Sequence, residues 1–233
     1  MCTTGLGRLL VLGLAMAAIG AITDVQAQAP AAQPIYSVTY VEVMPTSQAE
    51  GVALLRRYRD ATRQEDGNSR AEVVTRIGQP HHLVILEAWK DQKAFEAHGK
   101  SANTTQTRSS LAAIRNAPVD ERVHIGVSVG PLQPGPGGDA VYVVTHVDVI
   151  PPRKDDGLAA LKELGDASRS GGNVRFEVVQ QTNRPNHFTV VEIWKDGKAV
   201  ETHSMAEATR RFRDKLGPMS GALYDERMFR AVE

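Results

Sequence analysis

The alternation of apolar and polar positions along the chain predicts the same order of strands and helices twice. Each copy begins with a strand that is rich in β-branched and aromatic residues and ends at a proline, at Tyr36–Val43 and Tyr142–Val149. The other predicted elements are a helix at 48–64 and 155–169, a strand at 71–77 and 174–182, a strand at 83–89 and 188–194, a helix opened by Asp91 or Asp196, and a last strand at 119–127 and 222–232. This β-α-β-β-α-β order is the ferredoxin-like arrangement.

The two copies also match residue by residue, which indicates a duplication. Residues 35–45 match 141–151 at an offset of 106, and residues 82–91 match 187–196 at an offset of 105. We therefore predict an α+β protein with two tandem repeats, 35–127 and 140–233, joined by a Pro/Gly linker at 128–139. Two such units usually bury their open sheet faces against each other. The expected product is an intramolecular, pseudo-dimeric α/β barrel with cavities between each sheet and its partner.

The N-terminus has the pattern of a targeting segment. Arg8 precedes an apolar run, Leu9–Ile22, of 14 residues, which is shorter than the ~20 residues that cross a bilayer. Val25-Gln26-Ala27 then supplies small residues for a signal peptidase. We predict a signal peptide at 1–27, a flexible leader at 28–34, and an exported protein, periplasmic or secreted, with no membrane span after cleavage. An uncleaved N-terminal anchor is the alternative.

Composition excludes several classes of function. Lys+Arg and Asp+Glu are equal at 27 each, so there is no basic surplus for nucleic acid. The sole cysteine, Cys2, leaves the mature protein without a disulfide or a thiol nucleophile. The sequence contains no Gly-rich phosphate loop, which a flavin or nicotinamide site would require. No pair of histidines stands at a metal-ligand spacing with a carboxylate. We predict no cofactor and no metal site, and we place His82 and His187 at the surface.

The third strand of each repeat carries a glutamate and a tryptophan two residues apart, so they share one face. We predict that Glu87 and Trp89, and likewise Glu192 and Trp194, face the barrel interior, with the intervening small apolar residues towards the helices. A carboxylate on an apolar face has a raised pKa unless it is paired, and a raised pKa suits a general base. The alternative is a structural ion pair with an inward arginine, for which the candidates are Arg76 and Arg175.

The run Glu87-x-Trp89-Lys90-Asp91-(x)3-Phe95-(x)2-His98, with its echo Glu192-x-Trp194-Lys195-Asp196-(x)6-His203, resembles the signature of the antibiotic biosynthesis monooxygenase family. That family includes bacterial quinol monooxygenases. The resemblance implies oxygenation of a small electron-rich aromatic substrate, such as a quinol, with O2 as co-substrate and no cofactor.

The resemblance also implies residue roles. His98 and His203 would handle protons or bind a substrate hydroxyl, and Glu87 and Glu192 would assist as bases. Trp89, Trp194 and Phe95 would line the cavity, although core packing explains the tryptophans equally well. Alternatively, the two histidines are structural residues, half-buried and hydrogen-bonded to the neighbouring strand. Phe95 becomes Val200 in the second repeat, so one of the two cavities could have degenerated.

Two alternatives to a quinol monooxygenase stay open at this point. One is a non-catalytic periplasmic barrel that binds a ligand or serves a stress response. The other is the haem-degrading variant of the barrel, which the sequence resembles less because that variant's first-strand asparagine has no counterpart in 36–43 or 142–149. Because the chain supplies both halves of the barrel, we expect that it folds without dimerising, and further oligomerisation is left open.

Overall fold

The structure is a computed structural model of the 233-residue chain. It describes residues 1–2, 33–131 and 135–233. Nearly all of the predicted signal peptide and of the predicted leader, residues 3–32, lies outside the described residues, so both stay predictions.

The described chain has the predicted order of elements in both repeats. Repeat 1 contains β1 (Ile35–Glu42), α1 (Gln48–Thr62), β2 (Asn68–Arg76), β3 (Gln79–Trp89), α2 (Gln92–Gly99), α3 (Ala102–Ile114) and β4 (Asp120–Ser128). Repeat 2 contains β5 (Val141–Asp148), α4 (Lys154–Ser168), β6 (Asn173–Gln181), β7 (His187–Trp194), α5 (Gly197–Met205), α6 (Glu207–Leu216) and β8 (Asp225–Ala231). The difference from the prediction is that the second helical segment of each repeat consists of two helices.

Local capping explains where these helices begin. Asp91 and Asp196 are N-caps as predicted, because their Oδ1 atoms accept hydrogen bonds from the backbone N–H groups of Ala94 and Ala199, at 2.7 and 2.8 Å. In repeat 1, Ser101 is a further N-cap, whose hydroxyl accepts from the N–H of Thr104 and starts α3 in a new direction. These caps fix α2 and α5, the helices that carry the two site histidines.

The eight strands close into one antiparallel barrel in the order β1-β3-β2-β8-β5-β7-β6-β4. Within each repeat the order is β4-β1-β3-β2 or β8-β5-β7-β6, as the ferredoxin-like arrangement requires. The seams between repeats are β2 against β8 and β4 against β6. The chain therefore forms from its own two repeats a pseudo-dimeric α/β barrel, and the fold prediction is confirmed.

The predicted inner and outer faces of the third strands are wrong. Leu83 and Ile85, which share a face with Glu87, pack against Leu55 of α1 and Leu111 of α3. The barrel interior instead receives the other face of the strand, including Val84 and Leu86, in a cluster drawn from both repeats. Glu87, Trp89, Glu192 and Trp194 therefore lie between the sheet and the helices. Both faces of the strand are apolar, so the alternation reveals two faces but not which one is inside.

Four charged side chains meet in the barrel interior. Arg70 on β2 donates two hydrogen bonds to Glu177 on β6, at 2.7 and 2.9 Å, and Arg175 on β6 pairs with Glu72 on β2. All four are buried. The arginine of each repeat thus pairs with the glutamate of the other. Since Arg175 is engaged here, the predicted alternative of an ion pair between Arg175 and the Glu-x-Trp glutamates is wrong.

The helices of the described residues are too short or too polar to cross a membrane.

Candidate functional site

Three side chains from three elements of repeat 1 converge between the sheet and the helices. The hydroxyl of Tyr58 on α1 donates to Oε1 of Glu87 on β3 at 3.1 Å, and it lies 2.7 Å from Nε2 of His98 on α2. Glu87 and His98 themselves approach to 3.5 Å. Glu87 is 2% exposed and His98 is 3% exposed. The structure therefore brings the predicted base and the predicted histidine together, and it adds a tyrosine between them.

The chain of polar contacts continues from His98 towards the surface. Nδ1 of His98 lies 2.8 Å from Oε2 of Glu65, whose side chain is 22% exposed. Because a carboxylate oxygen can only accept, this contact places a proton on Nδ1 and leaves Nε2 to exchange a proton with Tyr58. The hydroxyl of Ser101 also donates to Glu65, at 3.3 Å. Tyr58, His98 and Glu65 thus form a continuous path from the protein interior to a half-exposed carboxylate.

Burial controls the protonation of this site. Desolvation raises the pKa of Glu87 to about 8, although the hydrogen bond from Tyr58 opposes the increase. Burial, followed by the charge of Glu87, also raises the pKa of Tyr58 well above its ordinary value. No guanidinium is hydrogen-bonded to Glu87 in the described chain, so the predicted pairing with Arg76 is not observed either. A carboxyl group that holds its proton near neutral pH can both give and take one.

The Tyr58 hydroxyl carries one proton and has two neighbours that can accept it. In one arrangement Tyr58 donates to the Glu87 carboxylate and the imidazolium of His98 donates to the Tyr58 oxygen. In the other, protonated Glu87 donates to Tyr58, which donates to Nε2 of neutral His98. The two arrangements differ by one proton moved from Glu87 to His98 through Tyr58. This geometry can relay a proton over two hydrogen bonds.

Tyr58 also lines a cavity of about 400 Å³ that is bordered by β1, β3, β4, α1 and α3. Its walls combine apolar side chains with threonine hydroxyls and one ion pair at the edge: Val41, Ile85, Leu111, Val119, Thr39, Thr104, Thr107, Arg108 and Glu121. The volume and mixed lining are typical of small-molecule sites. The cavity lies between the sheet and the helices of repeat 1, which corrects the expectation of cavities between each sheet and the partner repeat.

The aromatic residues Trp89 and Phe95, predicted to line the cavity, do not border it and lie instead in a small cluster next to His98. Trp89 is 0% exposed and its ring lies 4.4 Å from that of His98, centroid to centroid. Phe95 is half-buried and packs in the same small cluster, with Ile35 and Ala94. A side chain without accessible surface cannot touch a ligand unless the structure moves. The observed role of Trp89 is therefore to hold the His98 ring in place.

Repeat 2 reproduces only part of this arrangement. Nε2 of His203 lies 3.5 Å from Oε2 of Glu192, and Nε1 of Trp194 donates to the same oxygen at 2.7 Å. Burial raises the pKa of Glu192 to about 7, and burial, followed by Arg213, lowers that of His203 to about 4. Leu164 stands where repeat 1 has Tyr58. Repeat 2 thus keeps the glutamate and histidine but lacks the hydroxyl that joins them to a cavity.

Larger side chains occupy the positions in repeat 2 that correspond to the cavity walls of repeat 1. Thr107 corresponds to Phe212 and Val119 to Tyr224, and these two rings contact each other at a centroid distance of 6.3 Å. Phe212 belongs to the buried core cluster of repeat 2, and Tyr224 packs against that cluster. These substitutions fill volume that repeat 1 leaves open.

Sequence reasoning missed two features of the molecule. Tyr58 has a helical spacing typical of a core residue, and only its contacts show that it faces both Glu87 and a cavity. The second feature is a group formed by His146, Asp148 and His187, whose ligand atoms lie within 4.8 Å of one another. His187 is far from the other two in sequence but adjacent in the sheet, so linear spacing could not reveal the group. His187 and His82 are half-buried rather than fully exposed.

The fold and the site define a class of protein: a tandem ferredoxin-like barrel with a buried carboxyl–phenol–imidazole chain beside a small-molecule cavity. The family model "Antibiotic biosynthesis monooxygenase" matches residues 34–109 and 140–215. The chain therefore belongs to the antibiotic biosynthesis monooxygenase family.

Individual relatives agree with this assignment. The chain is 26% identical over 81 residues to "Putative monooxygenase YcnE" of Bacillus subtilis, which covers 35% of this chain and 85% of that protein. Among solved structures, a protein of Fusobacterium nucleatum described as a putative monooxygenase matches with a TM-score of 0.78 at 16% identity, over 87% of this chain and 94% of that one. An anthrone oxidase-like protein matches with a TM-score of 0.71 at 14% identity, over 86% and 92%. At these identities the two structures support the fold alone.

Proposed function

We propose that this protein is an exported, cofactor-independent monooxygenase that oxygenates a quinol or a similar electron-rich phenol with O2, and that repeat 1 carries the reaction. The observation that carries the proposal is the Tyr58 hydroxyl, which lines a 400 Å³ cavity and lies 2.7 Å from Nε2 of His98. Family membership supports the reaction class. The N-terminal pattern of residues 1–27 supports export.

The first step is removal of a phenolic proton from the substrate. The substrate hydroxyl gives its proton to the Tyr58 oxygen while the Tyr58 proton passes to Nε2 of His98. Glu65 holds the proton on Nδ1 and stabilises the imidazolium that forms. Glu87, neutral near pH 7 because of its raised pKa, adds no negative charge beside the developing phenolate. The site therefore favours the anion that reacts with O2.

The substrate supplies the electrons for the later steps. The phenolate transfers an electron to O2, and the resulting radical pair combines to form a C–O bond at a ring carbon. The peroxide anion formed there takes back the proton that His98 holds on Nε2, through the Tyr58 hydroxyl. The ring hydroperoxide loses water with the hydrogen of that carbon, which leaves a carbonyl, and tautomerisation gives a hydroxyquinone. One atom of O2 enters the product and the other leaves as water. The four electrons needed come from oxidation of the quinol and of one C–H bond.

The cavity contributes by excluding water and holding the ring. The apolar side chains Val41 and Ile85 from the sheet and Leu111 from α3 line the space, and the threonine hydroxyls offer hydrogen bonds for ring substituents. A dry, low-dielectric site strengthens the electrostatic effect of each fixed dipole. The protein thus provides positioning and proton transfer, and the substrate provides the redox chemistry.

The proposal is tested by following oxygen uptake when the mature protein is mixed with a panel of hydroquinones and polycyclic phenols, with catalase and superoxide dismutase present to remove the products of free autoxidation. We expect at least one substrate to consume one O2 per molecule, with one 18O atom from 18O2 in the product. Unlabelled quinone formed at the uncatalysed rate would contradict the proposal.

The same panel addresses the alternative of a non-catalytic binding barrel. Calorimetric titration with the corresponding quinones measures binding without turnover. Saturable binding at the cavity together with no enzymatic oxygen uptake would replace the monooxygenase proposal with a ligand-binding function.

A further inference from the structure

A second cluster of chemically competent side chains lies at one end of the barrel, in repeat 2 and apart from the Tyr58 site. His146 and Asp148 lie two residues apart on β5 and therefore on the same face of the strand. His187 on β7 is the direct cross-strand partner of Asp148. The side chains of these three residues are 17%, 18% and 17% exposed. They form a compact, half-buried group with a route to solvent.

The contacts within this group are short but are not hydrogen bonds. Nε2 of His146 lies 2.8 Å from Oδ1 of Asp148, and Nδ1 of His187 lies 2.7 Å from the same oxygen. Nevertheless Oδ1 of Asp148 and Nδ1 of His187 are shielded from solvent and have no aligned hydrogen-bond partner among the described residues. Buried polar atoms normally find partners, so three such side chains left together require an explanation.

The arrangement is the one that neighbouring ligands of a metal ion adopt. Two ligand atoms bound about 2.1 Å from one ion at a right angle are about 3 Å apart, and each lone pair points at the ion rather than at the other ligand. This accounts both for the short distances and for the lack of hydrogen-bond alignment. Two imidazoles and one carboxylate are a ligand set for first-row transition metals such as Zn²⁺ and Fe²⁺, with positions left open for further ligands.

We propose that His146, Asp148 and His187 form a binding site for one divalent transition-metal ion. The three residues border a polar cavity of about 480 Å³, which has room for water or a small anion as an additional ligand. Asp120 and Glu121 border the same cavity, and so do Arg122 and Arg184. The site belongs to repeat 2 and does not depend on the monooxygenase proposal.

Of the two arginines that border the cavity, Arg122 is already engaged. Its guanidinium donates to Asp120 at 2.7 and 3.0 Å, and its central carbon lies 4.9 Å from the centre of the Tyr40 ring. An arginine held in this way repels a bound cation less than a free one would, since the Asp120 carboxylate offsets its charge.

Repeat 1 provides a matched comparison within the same chain. Tyr40 takes the place of His146 there, and the remaining pair, Glu42 and His82, is 3.9 Å apart. His81 lies close enough to complete a looser group with Glu42 and His82. The substitution His146→Tyr therefore copies a residue that the same barrel already accepts at the equivalent position. The substitution removes one ligand and introduces a side chain that the equivalent position of repeat 1 accommodates.

The test is to measure metal binding to the tag-free mature protein after treatment with a chelator. Zn²⁺ is titrated by calorimetry, and Co²⁺ is titrated while its visible absorption bands are recorded. We expect one ion per chain. His146→Tyr, His146→Ala and His187→Ala should each weaken binding by more than the 10–100-fold typical of second-shell changes. The double variant His81→Ala/His82→Ala, which removes the repeat 1 group, should bind the ion as the wild type does.

Thermal unfolding with and without Zn²⁺ keeps the test informative if a variant is less stable. A specific ion raises the melting temperature of a protein that binds it only when folded. The proposal predicts this increase for the wild type and for the His81/His82 variant, and no increase for folded His146→Tyr. Absence of wild-type binding, or binding that is lost only in the His81/His82 variant, would overturn it.

Discussion

The hydroxyl of Tyr58 lies 2.7 Å from Nε2 of His98, and this contact connects a cavity to the polar chain that runs from His98 to Glu65. The contact joins α1 to α2, and His98 in turn bonds to Glu65 near the surface. Repeat 2 retains a histidine at the position of His98 but has Leu164 in place of Tyr58. The structural difference between the two sites is therefore one hydroxyl and the space beside it.

Removing that hydroxyl should stop proton transfer while leaving the fold intact. Tyr58→Phe is expected to lower kcat by about 10²–10⁴-fold, the usual contribution of general acid–base catalysis, with a smaller effect on KM. Steady-state oxygen uptake measures both. Tyr40→Phe, which alters a tyrosine outside this cavity, is the matched control and should retain wild-type kcat. Equal loss of kcat in the two variants would contradict the role of Tyr58.

Filling the cavity should abolish substrate binding. Thr107→Phe copies Phe212 of repeat 2 and places a ring in the space that Thr107 borders. We expect KM to rise more than about 10-fold because a bulky side chain displaces the substrate ring. Ala112→Phe adds the same ring on the exposed face of α3 and serves as the control. If Thr107→Phe binds and turns over substrate normally, the cavity beside Tyr58 is not the substrate site.

Glu87 should make stability depend on pH in a defined direction. Its folded pKa is about 8, against 4.5 for an ordinary glutamate. Below pH 4.5 both states hold the proton, and as pH rises towards 8 only the unfolded state releases it, so the stabilising contribution is lost over this window. Glu87→Gln cannot lose a proton and should become more stable relative to the wild type by about 4 kcal/mol between pH 5 and pH 9. Denaturant unfolding at both values measures the change.

The control for this experiment is Glu96→Gln, an exposed glutamate on α2. Its pH dependence should follow that of the wild type. A Glu87→Gln curve parallel to the wild-type curve would show that Glu87 is ionised in the folded protein at neutral pH.

The ionic cluster inside the barrel should matter for joining the repeats. Arg70→Met leaves Glu177 buried without its bidentate partner, and breaking such a pair costs about 3–5 kcal/mol. The double variant Arg70→Met/Glu177→Leu removes both charges and should recover much of that loss. Arg211→Ala breaks an exposed pair with Glu207 and should cost less than about 1 kcal/mol. Denaturant unfolding compares the three, and a small effect of Arg70→Met would contradict the structural role of the cluster.

The fold could be predicted from the sequence because the duplication gives two different sequences for each strand and helix, and both predict the same element. Proline at the end of the first strand, the Asp91 and Asp196 caps and the repeated Glu-x-Trp strands all act locally, and each was placed correctly. The sides of the sheet were assigned incorrectly, because Glu87 and Trp89 resembled barrel-lining residues while Arg70 and Glu72, the charges that do enter the barrel, are neutralised only by the other repeat. Such pairing is invisible before the β4–β6 and β2–β8 seams are known.

The site was predicted in part for the same reason. His98 and Glu87 were each predicted as site residues from the family resemblance and are retained in both repeats, and the structure brings them within 3.5 Å of each other. Tyr58 was overlooked because repeat 2 has Leu164 at the equivalent position. The same difference distinguishes the site of repeat 1 from that of repeat 2. The His146–Asp148–His187 group was likewise hidden because its members come together only through the β5–β7 register.

The central claim is that repeat 1 performs the reaction and repeat 2 supports the barrel. The most direct test compares initial rates of oxygen uptake for His98→Ala and His203→Ala on the same quinol, with melting temperatures recorded to confirm that both variants fold. The account predicts that His98→Ala loses at least about 100-fold in kcat and that His203→Ala keeps the wild-type rate. Equal losses in both variants, or a loss confined to His203→Ala, would contradict it.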